Sequence, residues 1–211
     1  MPLKLFYTPT SPFVRKVLVA AHELGVADRL EPVLLRPMPT AADPTLSAHN
    51  PLNKIPALVL ADGEALYDSP VIVEYLESLA AAGHAPLVPA QGPERFRVLR
   101  TQALCDGILD AGILVFYERA QRPPALHWQP WLDGQTQKAR QGLDALERLA
   151  AGWSTAADAP VDLGHICAGV ALGWLEFRDA IGDVRDGRPR LTAWYERFRE
   201  RPSMQATAPH T

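Results

Sequence analysis

Apolar residues in the second half of the chain recur at helical spacing. Phe96, Leu99, Ala103, Leu104, Ile108, Leu109 and Ile113 follow one stripe, and Leu132, Ala139, Leu143, Leu146 and Leu149 follow another. Residues 163–178, with Leu163, Ile166, Val170, Trp174 and Phe177, are apolar on several faces, which predicts a central buried helix. Leu191, Trp194 and Phe198 mark a shorter helix closed by Pro202. The first 80 residues alternate short apolar runs with helical segments instead. LKLFYT reads as a strand, PFVRKVLVAAHELG as a helix ending at Gly25, and LEPVLL as a second strand, a βαβ unit with a parallel pair. Two further strand-like runs flank Asp62-Gly63, a hairpin signal, and SPVIVEYLESLA supplies another helix. The pattern therefore predicts an α/β domain over 1–80 in the order β-α-β then β-β-α, a linker over 81–93 and an all-α bundle over 94–211.

Proline use sharpens these boundaries. Of 20 prolines, 13 fall in residues 1–93, and none falls within 94–122, 131–159 or 161–188. Proline is excluded from helix interiors, so those windows are where long helices can run. Twenty-one basic and 24 acidic residues give a formal charge of −3 without a basic stripe, so no nucleic-acid partner is expected. No apolar run reaches the roughly 20 residues of a membrane span, and MPLKLFYTPT lacks a basic region followed by an apolar stretch, so a cytoplasmic protein with no membrane partner is expected. Cys105 and Cys167 lie in apolar surroundings and read as reduced core residues. The histidines form no ligand spacing, so no metal is expected.

Three prolines stand beside candidate chemistry. Ser11-Pro12 and Ser69-Pro70 each open a predicted helix, where serine caps an orphan amide and proline has no N–H to lose. The same positions have a second reading: helix N-termini carry free N–H groups and partial positive charge, and suit a carboxylate or thiolate. Ile55-Pro56 enters a strand after the turn Asn50-Pro51-Leu52-Asn53 and is a candidate cis bond. A cis bond there turns the Ile55 N–H and C=O outward, ready to pair with an extended peptide ligand.

The segments Ser11-Pro12-Phe13-Val14-Arg15-Lys16, Asn50-Pro51-Leu52-Asn53-Lys54-Ile55-Pro56 and Asp68-Ser69-Pro70-Val71-Ile72-Val73-Glu74-Tyr75-Leu76, in this order and with the change of composition near residue 90, resemble a cytosolic glutathione S-transferase. The resemblance spans the chain and points to a bacterial, serine-type subgroup. It implies a thioredoxin-like N-terminal domain, a helical C-terminal domain, glutathione as co-substrate, a small hydrophobic electrophile as second substrate, a detoxification role and a homodimer. It also implies that Asp68 and Ser69 hold the γ-glutamyl end of glutathione, that the main chain of Ile55 before Pro56 pairs with the cysteinyl unit, and that Lys54 assists at the glycine carboxylate.

The resemblance makes Ser11 the catalytic candidate, donating to the sulfur of glutathione and so favouring thiolate over thiol; Thr8 and Thr10 are nearby hydroxyls open to the same role. Lowering a free-thiol pKa near 8.5 by about one to two units would make the sulfur nucleophilic at neutral pH. Serine cannot form a mixed disulfide, so thioltransferase chemistry is disfavoured. The electrophile is expected between the domains, near Phe13 and Ile113, Phe116 or Tyr117, and Asp106 and Asp110 are expected to face that cleft, face a dimer partner or remain ordinary helix acids. Asp162 is the expected cap of the central helix, with His165 structural, and Trp128 and Trp131 are expected to cover the core. Two competing readings remain: a glutathione-binding or protein-interaction member without catalysis, and a glutathione-dependent isomerase, reductase or ether-cleaving enzyme.

Overall fold

A computed structural model of the chain describes residues 3–210. They form two compact units, Met1–Leu87 with Pro202–Thr211, and Val88–Arg201.

In the first unit, β1 (Leu3–Tyr7), α1 (Pro12–Glu23), β2 (Leu30–Leu34), α2 (Pro44–Ser47), β3 (Ala57–Val59), β4 (Ala65–Leu66) and α3 (Ser69–Ser78) follow in order. The sheet order is β2-β1-β3-β4, with β1 and β2 parallel and the other pairs antiparallel. This is the expected β-α-β then β-β-α arrangement. Pro32 sits in β2, tolerable because β2 is an edge strand and need not donate from every residue. α1 stops where Gly25 adopts φ 68: the Val26 N–H returns to Ala21 O at 2.9 Å and the Gly25 N–H to His22 O at 3.1 Å. That pair of bonds satisfies the last carbonyls and needs a left-handed residue, the role of Gly25. Around Asp62-Gly63 the hairpin is wider than a two-residue turn. The Leu60 N–H bonds Glu64 O at 2.8 Å, and the Asp62 carboxylate accepts from the Glu64 amide at 3.0 Å.

The second unit holds α4 (Gly92–Gln121), α5 (Gln129–Ala150), α6 (Leu163–Arg178) and α7 (Pro189–Phe198). α6 is buried on nearly all faces from Leu163 to Leu175, as its apolar pattern implied. The buried face of α4 differs from the expected stripe. Val98, Thr101, Gln102, Cys105, Ile108, Leu109, Gly112 and Val115 are buried, whereas Phe96 is 69% exposed. α4 packs on α5 and α6 at once, and small residues allow the approach. A Cβ on Gly142 of α5 would sit 2.4 Å from Ile108 Cγ1. Gly142→Ala is therefore expected to destabilise the helical unit, because an overlap with a stiff β-branched core residue costs about 1–3 kcal/mol and outweighs the roughly 1 kcal/mol gained in helix propensity. Urea unfolding measures it; a stabilised variant would contradict the close α4–α5 packing.

Trp128 and Trp131, expected over the core, are instead 63% and 39% exposed and stack on each other with centroids 6.4 Å apart. Both stand at the start of α5, before its buried stripe begins at Leu132. Cys105 and Cys167 are buried, as expected.

The segment α8 (Pro202–Ala206), grouped by sequence with the helical part, clusters with the first unit. The Arg15 guanidinium of α1 donates to Met204 O at 3.0 Å, and Ser203 Oγ donates to the Glu23 carboxylate at 2.5 Å. Both anchors depend on polar groups far apart in sequence, invisible to apolar periodicity.

Asp162 caps α6 as expected. Its carboxylate accepts from the His165 amide at 2.9 Å and lies 2.8 Å from His165 Nδ1, which donates to it. His165 thus stands at the third helical position, where the acid of a capping box would be. Burial raises the Asp162 carboxyl, but the side-chain bond and charge of His165, with the amides of His165 and Gly164, outweigh it and hold the group below its ordinary value of 3.8. A depressed carboxyl stabilises above its unfolded pKa and loses that contribution as pH falls through the folded one. Asp162→Ala is expected to cost about 1 kcal/mol at pH 7, with the deficit shrinking below about pH 4. Urea midpoints at neutral and acid pH test this; a deficit constant across that range would contradict it.

Candidate active site

Strand register gathers the candidate segments at one end of the sheet. Phe6 pairs with Ala57 and Leu58 with Leu66, so the carboxyl end of β1, the start of β3 and the carboxyl end of β4 are neighbours. Those ends lead respectively into Thr8–Ser11, out of Ile55-Pro56, and into Asp68-Ser69. The first turns of α1 and α3 follow at the same end, so two sets of orphan amides lie near one extended segment.

Ser11 is the N-cap of α1, half-buried, with Pro12 in the first turn. Its Oγ accepts from the Val14 amide at 3.3 Å, and its amide donates to Thr8 O at 3.2 Å. Accepting the cap bond uses one lone pair and leaves the hydroxyl proton to donate elsewhere. The rivals Thr8 and Thr10 have hydroxyls 3.3 Å apart, so one proton is engaged between them.

The Ile55-Pro56 peptide is cis, as is Tyr67-Asp68. Neither the N–H nor the C=O of Ile55 bonds to another described residue. The turn before it is pinned from several sides. Buried Asn50 donates from Nδ2 to Lys54 O at 2.8 Å and accepts from the Leu52 amide at 3.0 Å. Asn53, at φ 52, accepts from the Asp43 amide at 3.0 Å and from Ser47 Oγ at 3.3 Å. Asparagine tolerates that left-handed backbone better than most residues. Lys54 itself is exposed.

At α3 the structure corrects one expectation. Ser69 is the first helical residue and Asp68 the N-cap, without a side-chain cap bond. Asp68 is exposed, so its carboxylate is not spent on the helix. Ser69 is 2% exposed, and its Oγ accepts from the fully buried Lys16 Nζ at 3.0 Å. Lys16 also lies 5.3 Å from the centroid of Phe13. Accepting from an ammonium uses a lone pair and leaves the Ser69 proton to donate. Sequence reasoning missed Lys16; its place on the buried face of α1, four residues past Pro12, was the available signal.

Asp106 and Asp110 lie on α4, half-buried and exposed respectively, in the second unit. Among the described residues no helix is long and apolar enough to cross a membrane.

Comparisons with known proteins bear on the family of the chain. Residues 10–79 match the family model of the glutathione S-transferase N-terminal domain, and residues 129–197 that of the C-terminal domain. The uncharacterized GST-like protein YibF of Escherichia coli K12 is 35% identical over 207 residues, covering 98% of both chains. A glutathione transferase family member from Pseudomonas fluorescens Pf-5, solved with bound glutathione, is 44% identical with a TM-score of 0.92, covering 99% of this chain and all of the other. A glutathione S-transferase from Methylobacillus flagellatus, also with glutathione bound, is 34% identical with a TM-score of 0.84, over 99% and 100% of the two chains. With a thioredoxin-like domain followed by an all-helical one, and with both family models matched in order, the chain belongs to the glutathione S-transferase family.

Proposed function

We propose that this protein is a glutathione transferase of the serine-using kind, which binds glutathione on the first unit and adds its thiolate to a small hydrophobic electrophile. The observation that carries the reading is the meeting, at one sheet end, of the α1 and α3 N-termini with the unpaired main chain of Ile55. Glutathione is an extended peptide with a carboxylate at each end and a thiol between, and each part finds a matching group there. Ser69 and the α3 N-terminus take the γ-glutamyl carboxylate, and exposed Asp68 takes the adjacent ammonium. Ile55 pairs with the cysteinyl amide ahead of Pro56, and Lys54 reaches the glycine carboxylate.

The Ser11 hydroxyl donates to the sulfur while the α1 N-terminus favours negative charge, so the thiol proton passes to solvent and the thiolate remains. The thiolate then forms a bond to the electrophilic carbon, and a leaving group such as halide departs with the electron pair of the bond that breaks. Serine at position 11 supports transfer over disulfide exchange. Further support comes from the Pseudomonas relative at 42% identity and TM-score 0.88, solved with S-(propanoic acid)-glutathione, a thioether of the kind such a transfer forms.

The proposal includes a cytoplasmic homodimer; a sedimentation mass near that of one chain would refute that part. The reaction itself is tested by incubating glutathione and an aryl halide with the protein and following conjugate by mass spectrometry. Conjugation above the uncatalysed rate is expected. A rate equal to the protein-free control across a panel of aryl halides, epoxides and enones would sink the transferase reading.

A further inference from the structure

A small cavity on the second unit is bordered by Ser154 and the alanines of the α5–α6 loop, by His165 of α6, and by Trp194, Arg197, Phe198 and Arg201. Its volume is about 30 Å³, where one ordered water needs roughly 10–15 Å³. The charge of its lining has one sign: two guanidiniums and an imidazole, with no carboxylate. Asp158 in the same loop and Glu200 after α7 are exposed and do not line it, and Asp162 is already bonded to His165.

The polar groups of the lining keep capacity for a ligand. Ser154 Oγ accepts from the Ala156 amide at 3.2 Å, which leaves its proton to donate. His165 Nδ1 donates to Asp162, so Nε2 is the ring nitrogen left over, and the ring is held against Trp153 and Trp194 with centroids 5.0 and 5.9 Å away. Arg201 Nη1 donates to Ala157 O and Ala159 O at 3.2 and 3.4 Å and so ties the loop to the chain after α7. Arg185, Arg188 and Arg199 are paired with Glu176, Asp144 and Glu196. Arg197 differs: among the described residues its guanidinium makes no ion pair or hydrogen bond.

The loop, α6 and α7 each supply one of these groups, so a matching anion must offer oxygens in more than one plane. A carboxylate has two oxygens in a single plane, whereas phosphate spreads its acceptors around a tetrahedron. Hydrogenphosphate also keeps one O–H, which a neutral imidazole nitrogen can accept. We propose that this cavity is a binding site for inorganic phosphate. Arg197 and Ser154 donate to its oxygens, and its own O–H donates to His165 Nε2. The site stands on the second unit alone and is independent of glutathione.

Phosphate, methyl phosphate and acetate are the probes, titrated without glutathione at constant ionic strength and about pH 8, above the ordinary imidazole range, and followed by ligand-observed NMR. Phosphate is expected to bind saturably and at least about tenfold more tightly than acetate. Methyl phosphate, whose dianion lacks the O–H, should bind about threefold to tenfold more weakly than phosphate, the effect of one hydrogen bond. Arg197→Gln should weaken phosphate about tenfold, while Arg199→Gln, which removes an exposed arginine outside the cavity lining, should leave it unchanged. No saturable phosphate binding, or equal binding of phosphate and acetate, would overturn the proposal. So would tighter binding of methyl phosphate, which would assign the cavity to a phosphate ester, or equal losses in the two variants, which would reduce the effect to net charge. The comparison of ions needs no variant, so a folding defect in Arg197→Gln does not remove the test.

Discussion

Ser11→Ala is expected to lower the rate of thiol addition to an aryl halide about tenfold at pH 7 and to move the rising limb of the pH–rate profile upward by about one to two units, toward the free-thiol value near 8.5. The reason is the division of labour at the Ser11 hydroxyl. Its oxygen accepts from the Val14 amide, so its proton has no duty in the helix. Removing it leaves the sulfur with the α1 amides alone. The deficit should narrow above about pH 8.5, where the thiolate forms unaided. Ser11→Ala also removes a helix cap, a loss of about 1 kcal/mol in stability, but a cap alone does not move an apparent pKa. Ser11→Thr keeps both hydroxyl and cap and should restore most of the rate. An unmoved profile in Ser11→Ala would assign the role to Thr8 or Thr10.

Ser69→Ala is expected to weaken glutathione binding by about tenfold to a hundredfold, the range of a lost charge-assisted hydrogen bond at a buried site. Ser69 is buried, and Lys16 Nζ donates to its oxygen, so its own proton is left to donate to a ligand. The substitution also removes an acceptor from a fully buried ammonium, so a lower melting temperature should accompany the weaker binding. Calorimetric titration at a temperature where both proteins are folded separates the two effects. Unchanged affinity would remove Ser69 from the site.

What could be read from the sequence was local, and what could not was long-range. The cap at Ser11, the left-handed stop at Gly25 and the hairpin at Asp62-Gly63 each depend on the chemistry of a few consecutive residues, and the structure forms all three. Ser69 was misplaced by one position, because Asp68 and Ser69 are both good caps and only the backbone decides between them. The Lys16–Ser69 bond joins residues 53 positions apart and has no periodic signature. The α4 stripe shifted because a helix touching two partners buries two overlapping faces, and the glycines permitting the approach carry no hydrophobic signal. Trp128 and Trp131 have the apolarity of core residues but lie at the surface, where large apolar residues are common. α8 returns to α1 through hydrogen bonds to a carbonyl and a carboxylate, which periodicity does not register.

Binding of glutathione as thiolate is read by ultraviolet difference absorbance of the thiolate, recorded across a pH titration of the protein saturated with glutathione. A midpoint about one to two units below the free-thiol value near 8.5 is expected. A midpoint at the free value, or no saturable complex at all, would contradict it.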